Sequence, residues 1–315
     1  MRSLSIRTLT LDDARDVFAL LDGARDETMF LRSNLHNRGF AYAGNPRQAK
    51  YFGAFEAGSL VGVAALCWNG MVLMHAPRGV EMLFVAVVRE AMANGPAITG
   101  FNGSADQLRH VREMLDMSSL PVAIDSVADL FAADVCTLEM PDALYAPGVV
   151  LRRPREEDLA VLVDWDIDYK VEALGDAHAC DRRTEVEHAI ASDLKRGIDN
   201  MWLLERDGIL VSRSILSASL PDMVQIGGVW TPPRERGKGY GRAVVAGSLA
   251  AAAHQGVERA VLFAHDPRAI RAYRGIGFQK VGSYMLVMFD RQVAPDRLWR
   301  LLNALPARAS ASIAL

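Results

Sequence analysis

The feature that most constrains the fold is a pattern of predicted elements that occurs twice along the chain, about 145 residues apart. In the first half, a strand over residues 4–9 leads to Thr10, which can cap a helix with an acidic first turn. In the second half, a strand over residues 149–154 leads to an acidic turn at 155–158 and a helix through about residue 166. Each copy then continues with a hairpin, a short strand, a helix and another strand. The repeat predicts two α/β domains of one type.

The later elements of the two copies follow in the same order. The predicted pairs are hairpins at 51–68 and 201–220, strands at 71–75 and 224–230, helices at 80–94 and 241–255, and strands at 97–101 and 260–265. A short turn-forming segment at 145–148 separates the copies without a long linker. We therefore expect a first domain at 1–146, a second at 147–290, and a C-terminal helix and tail at 291–315, with the helix over about 295–305 and a frayed tail.

Composition and charge narrow the class of protein. A chain of 315 residues gives room for two domains, and 50% hydrophobic with 23% charged residues excludes a disordered or fibrous chain. A net charge of −3 argues against general nucleic-acid binding. No window approaches the ~18 apolar residues of a membrane span, and the N-terminus lacks a secretory apolar core. We expect a cytoplasmic protein without nucleic-acid or membrane partners.

The three cysteines, Cys67, Cys136 and Cys180, are scattered singly. Their spacing indicates neither a disulfide framework nor a zinc site, so no metal site is predicted. We expect all three to be small buried apolar residues.

The segment 224–242 carries the clearest chemical signal, because a predicted strand runs into a glycine-rich basic turn that opens a long apolar helix. The turn consists of Arg236, Gly237, Lys238, Gly239, Tyr240, Gly241 and Arg242. Glycines let consecutive N–H groups converge at a helix N-terminus, where the helix dipole favours anions. The pattern predicts an anion site sized for a diphosphate. A P-loop fits poorly because no Ser or Thr follows Lys238, and a Rossmann fingerprint fits poorly because the third glycine comes one residue early.

Two motifs in this half resemble the GCN5-related N-acetyltransferase (GNAT) superfamily. The run 236–241 matches the R/Q-x-x-G-x-G/A loop of that family, with Pro233 three residues ahead of it. The segment 266–278 is similar to the family's N-x-x-A-x-x-L-Y-x-x-x-G-F motif. The resemblance covers residues 150–290 well and residues 1–145 only in outline.

The resemblance implies two tandem GNAT-like domains of the α/β (α+β) class, each a mixed, splayed β-sheet flanked by helices. It implies that the loop from Arg236 to Arg242 holds the pyrophosphate of acetyl-CoA, the cosubstrate. The backbone at Val229, Trp230 and Thr231 would pair with the pantetheine arm, and Asp266 would also contact the cosubstrate. An amine from a small molecule or peptide would attack the thioester directly, and Tyr273 would protonate the leaving thiolate, as a phenol beside the sulfur can.

The sequence also departs from the family pattern. Gln225 stands where many members carry a glutamate, and a carboxamide cannot act as a carboxylate base. His265, His178 or a water molecule are the alternatives for a base. Asp266 stands where the family usually has asparagine. The first copy has no G-x-G in 71–81 and no tyrosine in 101–110, so we expect it to be a degenerate copy that lacks the pyrophosphate loop.

Two other functions stay open at this point. The second copy could bind acyl-CoA without catalysis, as a sensor or interaction module, which the missing carboxylate at 225 would suit. The same loop could instead bind a nucleotide. The sequence does not specify the acceptor amine or the oligomeric state.

Overall fold

The computed structural model describes residues 4–304 and divides them between two compact units. Unit 1 runs to Val127 and resumes at Ser283, and unit 2 is Ala128–Gly282. The strands are β1 (Leu4–Thr8), β2 (Ala49–Glu56), β3 (Ser59–Cys67), β4 (Met71–His75), β5 (Ile98–Ser104), β6 (Val122–Asp134), β7 (Val149–Arg152), β8 (Met201–Arg206), β9 (Ile209–Ser219), β10 (Met223–Trp230), β11 (Arg259–Ala264) and β12 (Gln279–Val293). The α-helices are α1 (Ala14–Asp22), α2 (Met29–Arg38), α3 (Val80–Asn94), α4 (Ala105–Met114), α5 (Leu159–Leu174), α6 (Arg183–Arg196), α7 (Tyr240–Ala253), α8 (Pro267–Arg274) and α9 (Pro295–Ala304).

Unit 1 is a mixed sheet with helices on both faces. Its strands follow the order β1-β2-β3-β4-β5-β12, with β4 and β5 parallel and the other neighbours antiparallel. Apolar residues of α1 and α2 cover one face of the sheet, where Val17, Leu35 and Tyr51 belong to one buried cluster. Helices α3, α4 and α9 bury the other face, where Phe84 and Leu298 are fully covered. Successive side chains of each strand point to opposite faces of the sheet, so the apolar residues form a core on each face.

Unit 2 repeats this architecture. Its strands follow the order β6-β11-β10-β9-β8-β7, and β10 and β11 are the parallel pair. Helix α7 packs on one face through Val244 and Leu249, while α5 packs on the other through Leu162. The predicted fold class, mixed sheets flanked by helices, is confirmed.

Each sheet is completed by a strand from a distant part of the chain. In unit 1, β12 pairs with β5, from Tyr284 opposite Ser104 to Met288 opposite Gly100. In unit 2, β6 pairs with β11, in a register that places Asp134 opposite Arg259. The compact units therefore do not divide at residue 147, where the sequence pattern divides the copies. Periodicity marks a strand but does not identify its partner, because pairing depends on contacts distant in sequence.

The C-terminal helix predicted over 295–305 corresponds to α9, which belongs to unit 1. The predicted tail beyond it lies outside the described residues.

The repeated opening motif has the same geometry in both copies. Arg7 forms a two-pronged ion pair with Asp13, which also accepts the Thr10 backbone N–H at 2.9 Å. In the second copy Arg152 does the same with Asp158, which accepts the Arg155 N–H at 2.7 Å. The strand is thus tied to the start of the following helix by a buried or half-buried carboxylate.

The cysteine prediction is correct for one residue and wrong for two. Cys67 is buried at the end of β3, whereas Cys136 and Cys180 are exposed. Both exposed cysteines lie in short 3₁₀ turns, where neighbouring secondary structure does not cover the side chain.

Within residues 4–304, the helices are too short or too polar to cross a bilayer.

Candidate active site

Strands β10 and β11 diverge at their carboxyl ends. Their parallel ladder runs from Met223 to Ile226, which lies opposite Leu262, although both strands continue beyond it. The pairing of β10 with β9 also shifts between Gly227 and Trp230, and Gly228 has a φ of 54°. A bulge with a left-handed glycine bends its strand and re-aims its peptide groups. A cleft therefore opens between the ends of two neighbouring strands.

The chain leaving β10 forms an amide-lined loop at the start of α7. Gly237 and Gly239 have φ of 78° and 83°, a left-handed conformation that favours glycine, and Gly239 is the N-cap of the helix. A Cβ on Gly237 would meet no atom within 4 Å, so the outer side of the loop is open. The first N–H groups of α7 lack acceptors within the helix and lie at the positive end of its dipole. The loop thus combines an open side with unpaired N–H groups, and the anion site stays a prediction.

The three basic side chains of this loop differ in their partners. Lys238 forms an ion pair with Glu235 at 2.9 Å. Arg236 is held more firmly, with both terminal nitrogens on the Glu172 carboxylate at 2.7 and 2.9 Å. Arg242 is exposed and has no ion pair or hydrogen bond with any residue in 4–304. The free positive charge of the loop therefore lies at Arg242.

Tyr240 presents only its backbone to the loop, because its side chain is buried. Its ring is buried in the core beneath α7, and its hydroxyl accepts a hydrogen bond from Arg206 at 2.5 Å. The aromatic ring fixes the first turn of the helix against the sheet, which orients the N–H groups of the loop.

Hydrogen bonds from two side chains hold the backbone at the end of β10. Ser212 donates a hydrogen bond to the Trp230 carbonyl at 3.0 Å, and Arg236 Nε donates to the Thr231 carbonyl at 2.9 Å. The Arg236 guanidinium also lies 5.0 Å from the centre of the Trp230 ring, close enough for a cation–π contact. The carbonyls of Trp230 and Thr231 are thus already engaged, and Val229 is half-buried beside them.

Tyr273 lies on α8, the helix that follows β11. The residue is buried against Phe278, with ring centres 6.2 Å apart, and its hydroxyl has no hydrogen bond to a residue in 4–304. Burial raises the pKa of Tyr273, and the nearby Tyr169 and Asp266 raise it further. A phenol in this state stays protonated at neutral pH and can donate a hydrogen bond.

Asp266 has a structural role at the start of the same helix. It is the N-cap of α8 and accepts the Arg268 backbone N–H at 2.7 Å. Hydrogen bonds from the Arg268 side chain and backbone lower the pKa of Asp266. This carboxylate therefore positions α8, and with it Tyr273.

One face of α5 holds three residues of this region that sequence reasoning missed. Asp166, Tyr169 and Glu172 are spaced three apart and share a face of the helix. Burial raises the pKa of Tyr169, an effect that the Gly228 backbone at the bulge opposes, and Glu172 holds Arg236 as described above. The spacing of these polar residues could have identified the face, but the predicted helix stopped near residue 166 and α5 continues to Leu174.

Asp166, the remaining residue of this face, pairs with a fully buried arginine. Arg213, on β9, contacts Asp166 at 3.3 Å and donates from Nε to the Gly228 carbonyl at 3.2 Å. Burial lowers the pKa of Arg213, although Asp166 opposes that effect. Gly228 is therefore held through its carbonyl by Arg213, which fixes the bulge.

The candidate bases fall in different surroundings. Gln225 is buried on β10, with Nε2 donating to Ser217 at 3.2 Å and Oε1 without a partner among residues 4–304. His265 is exposed at the end of β11. His178 is exposed in the segment after α5, with Nδ1 3.2 Å from Asp181.

The corresponding region of unit 1 is built differently. Only residues 76–79 separate β4 from α3, and β4 stays paired with β5 as far as Met74. Gly79 is left-handed, but a Cβ there would lie 3.1 Å from Ala54, so this turn is packed against the sheet. Arg78 pairs with Glu56 instead of facing an open loop.

Comparisons with known proteins agree with this architecture. The solved structures that are similar to the chain include three with identities below 20%, which therefore show the fold alone. They are a GCN5-related N-acetyltransferase from Kribbella flavida (TM-score 0.53, 17% identity, 85% of this chain and 95% of that one), a Drosophila protein (0.57, 14%, 90% and 98%), and a GCN5-related glucosamine N-acetyltransferase region of a fungal multi-domain β-N-acetylglucosaminidase (0.52, 15%, 92% and 38%). This chain thus spans well under half of the fungal protein.

A search among curated proteins gave no match. A sequence model of the acetyltransferase (GNAT) family matches residues 164–278, from the face of α5 that carries Asp166, Tyr169 and Glu172 to Phe278, directly before β12. The match lies within unit 2 and includes the divergent strands, the amide-lined loop and α8. Residues 164–278 thus form a domain of the GNAT acetyltransferase family.

Proposed function

We propose that unit 2 binds acetyl-CoA and transfers its acetyl group to a primary amine of a small molecule or peptide by direct attack. One observation carries the proposal. The amide-lined loop follows the end of β10 and Tyr273 follows the end of β11, and these two strands diverge beyond Ile226 and Leu262. An anion site and a protonated phenol thus flank one cleft, as a thioester linked to a diphosphate requires.

The residues present fit the acetyl-CoA diphosphate. Gly237 leaves the outer side of the loop open, while Gly239 lies against Ala143 at the N-cap of α7. The first turn of α7 offers N–H donors, and Arg242 adds an unpaired positive charge. Of the predicted binding residues, Gly237, Lys238, Gly239, Tyr240 and Gly241 would contribute mainly backbone. In unit 1 the short packed turn at 76–79 does not fit a diphosphate, and we propose that this copy does not bind acetyl-CoA.

The acetyl-CoA thioester supplies an activated acyl group. The amine nitrogen forms a bond to the carbonyl carbon, the carbon–sulfur bond breaks, and the sulfur leaves with the electron pair. Tyr273 donates a proton or hydrogen bond to that sulfur, in a buried setting where such a bond is strong. The carboxamide of Gln225 cannot take up the amine proton, so this proton leaves to water.

The test is release of free thiol from acetyl-CoA with a panel of primary amines. For Tyr273→Phe we expect kcat to fall about 10²-fold or more with little change in acetyl-CoA binding, because proton donation typically contributes 10²–10⁴-fold. Tyr145→Phe is the matched control, since Tyr145 is an exposed tyrosine of the same unit and its removal should leave the rate unchanged.

Two other results would contradict parts of the proposal. Tight binding of acetyl-CoA without thiol release for any amine would favour a non-catalytic acyl-CoA sensor. Binding of ATP in preference to CoA would favour a nucleotide-binding protein instead.

A further inference from the structure

A separate cavity of about 240 Å³ lies in unit 1, between α2 and the strands β3, β4 and β5. Aromatic rings of Phe30 and Trp68 form part of its wall, and Met71 and Leu73 add apolar surface. Its polar lining includes Asn102 at its base. Its lining residues all belong to unit 1, so the cavity is distinct from the cleft described above.

The protein fixes the orientation of two carboxamides that line this cavity. Tyr284 donates its hydroxyl proton to Asn102 Oδ1 at 2.8 Å, and the Met71 N–H donates to Asn69 Oδ1 at 3.2 Å. Each oxygen is thereby used, and neither amide nitrogen has a hydrogen bond within residues 4–304. Asn102 is only 7% exposed, so its NH₂ group has the cavity as its outlet. Both side chains therefore present donors.

The charge of the cavity also favours a ligand that accepts hydrogen bonds, because its charged lining is positive. Arg47 lines it and has no ion pair or hydrogen bond within residues 4–304, and no Asp or Glu is among the lining residues. Burial raises the pKa of the Cys67 thiol to about 12, so this lining group is neutral. The fourth polar side chain, Asn34, has its nitrogen 3.9 Å from that sulfur. The cavity thus combines one unpaired cation with two oriented amide donors.

We propose that this cavity binds a small organic carboxylate with an apolar body. The carboxylate oxygens accept hydrogen bonds from Asn102 and Asn69 and pair with Arg47, while the apolar body lies against Phe30 and Trp68. A carboxylate satisfies the N–H donors of the buried Asn102 and the exposed Asn69 together with the exposed guanidinium of Arg47, whereas an ammonium group would leave them unpaired and add a like charge. The site does not depend on acetyl-CoA binding by unit 2.

The experiment is a titration of the full chain with benzoate, followed by ligand-observed NMR in the presence of saturating acetyl-CoA. Benzamide and benzylamine are matched probes of the same shape without a negative charge. We expect saturable benzoate binding at least tenfold tighter than either, and we expect acetyl-CoA not to displace it. Arg47→Met should weaken benzoate binding about tenfold, because a charge-assisted pair is lost.

Two further variants separate a built site from nonspecific attraction. Tyr284→Phe frees Asn102 Oδ1 and should weaken benzoate binding severalfold without touching the ligand. Arg38→Met, at an exposed arginine on α2, should leave the affinity unchanged. Equal binding of benzamide, equal losses in the Arg38 and Arg47 variants, or no saturable binding would overturn the proposal.

Discussion

At the scale of single residues, the ion pair between Glu172 and Arg236 bears most directly on cosubstrate binding. The Glu172 carboxylate occupies both terminal nitrogens of an arginine that belongs to the predicted diphosphate loop. Any phosphate that uses Arg236 must therefore compete with Glu172. The pair is half-exposed, so its contribution to stability is small, about 1 kcal/mol or less.

This competition gives a prediction for Glu172→Gln. We expect the variant to bind acetyl-CoA roughly three- to fivefold more tightly, the factor that corresponds to about 1 kcal/mol. Isothermal titration at low salt measures the change, and the gain should shrink as salt screens the charges. S-acetylpantetheine, which lacks the diphosphate, should bind both proteins equally, and Glu185→Gln on α6 is the control. Weaker acetyl-CoA binding by Glu172→Gln would show that Glu172 supports the loop instead of competing for it.

Gln225 gives a second prediction at this scale. Because a buried carboxamide cannot act as a base, we expect the acceptor amine to react in its unprotonated form. The value of kcat/KM should then rise with pH and level off at the pKa of the amine. Two accepted amines with different pKa values should give profiles displaced by that difference. An inflection at the same pH for both amines would identify a protein base instead.

At the scale of elements, the two copies of the opening motif differ in burial. Asp158 is 6% exposed and pairs with Arg152, whereas Asp13 pairs with Arg7, which is half-exposed. Burial raises the pKa of Asp158, but hydrogen bonds from Arg152 and the Arg155 N–H outweigh it and leave a lowered value. The Arg7 side chain lowers the pKa of Asp13 to about 2. Both carboxylates thus stabilise the fold in their charged form.

Replacement of these aspartates should therefore have unequal effects. At pH 7 we expect Asp158→Asn to lower the free energy of unfolding by about 2 kcal/mol, and Asp13→Asn by about 1 kcal/mol or less. Because the folded pKa values lie below the unfolded value near 4, the stabilisation is present above that pH and lost as the pH falls through the folded values. Urea unfolding should show the Asp13→Asn variant approaching the wild type between about pH 4 and 2, and the Asp158→Asn variant approaching it as the pH falls below about 4. Asp106→Asn, at an exposed pair, should change little, and equal losses at positions 13 and 158 would contradict the burial argument.

At the scale of the whole molecule, the order of the chain and the order of the strands differ. Unit 2 takes β6 residues from before the predicted boundary at 147, and unit 1 takes most of β12 from the end of the chain. Phe131 and Leu130 of β6 are fully buried in unit 2. A cut at the predicted boundary would leave β11, which leads to Asp266 and Tyr273, as an open edge.

Fragments of the chain test this arrangement. We expect a fragment of residues 128–282 to fold cooperatively and bind acetyl-CoA, and a fragment of residues 147–290 to lose cooperative unfolding or acetyl-CoA affinity. Thermal unfolding with and without acetyl-CoA compares them. Equal behaviour of the two fragments would show that the β6 residues are dispensable and would favour the predicted boundary.

The sequence by itself determined the local elements and the chemical character of the loop. Hydrophobic periodicity predicted most strands and helices, and α3 and β4 have the predicted bounds. Gly237 and Gly239 could be identified because left-handed turns favour glycine wherever they occur. These features depend on residues close together in the chain.

Only the tertiary structure decided which distant residues meet. The pairing of β6 with β11, the hydrogen bond from Arg213 to the Gly228 carbonyl, and the orientation of Asn102 by Tyr284 each join elements that are separated in sequence. Such contacts form because packing and hydrogen-bond satisfaction select among many compatible pairings, and a local pattern does not record that choice. Glu172 could not be identified from the sequence for the same reason, because its partner Arg236 lies in a distant part of the chain.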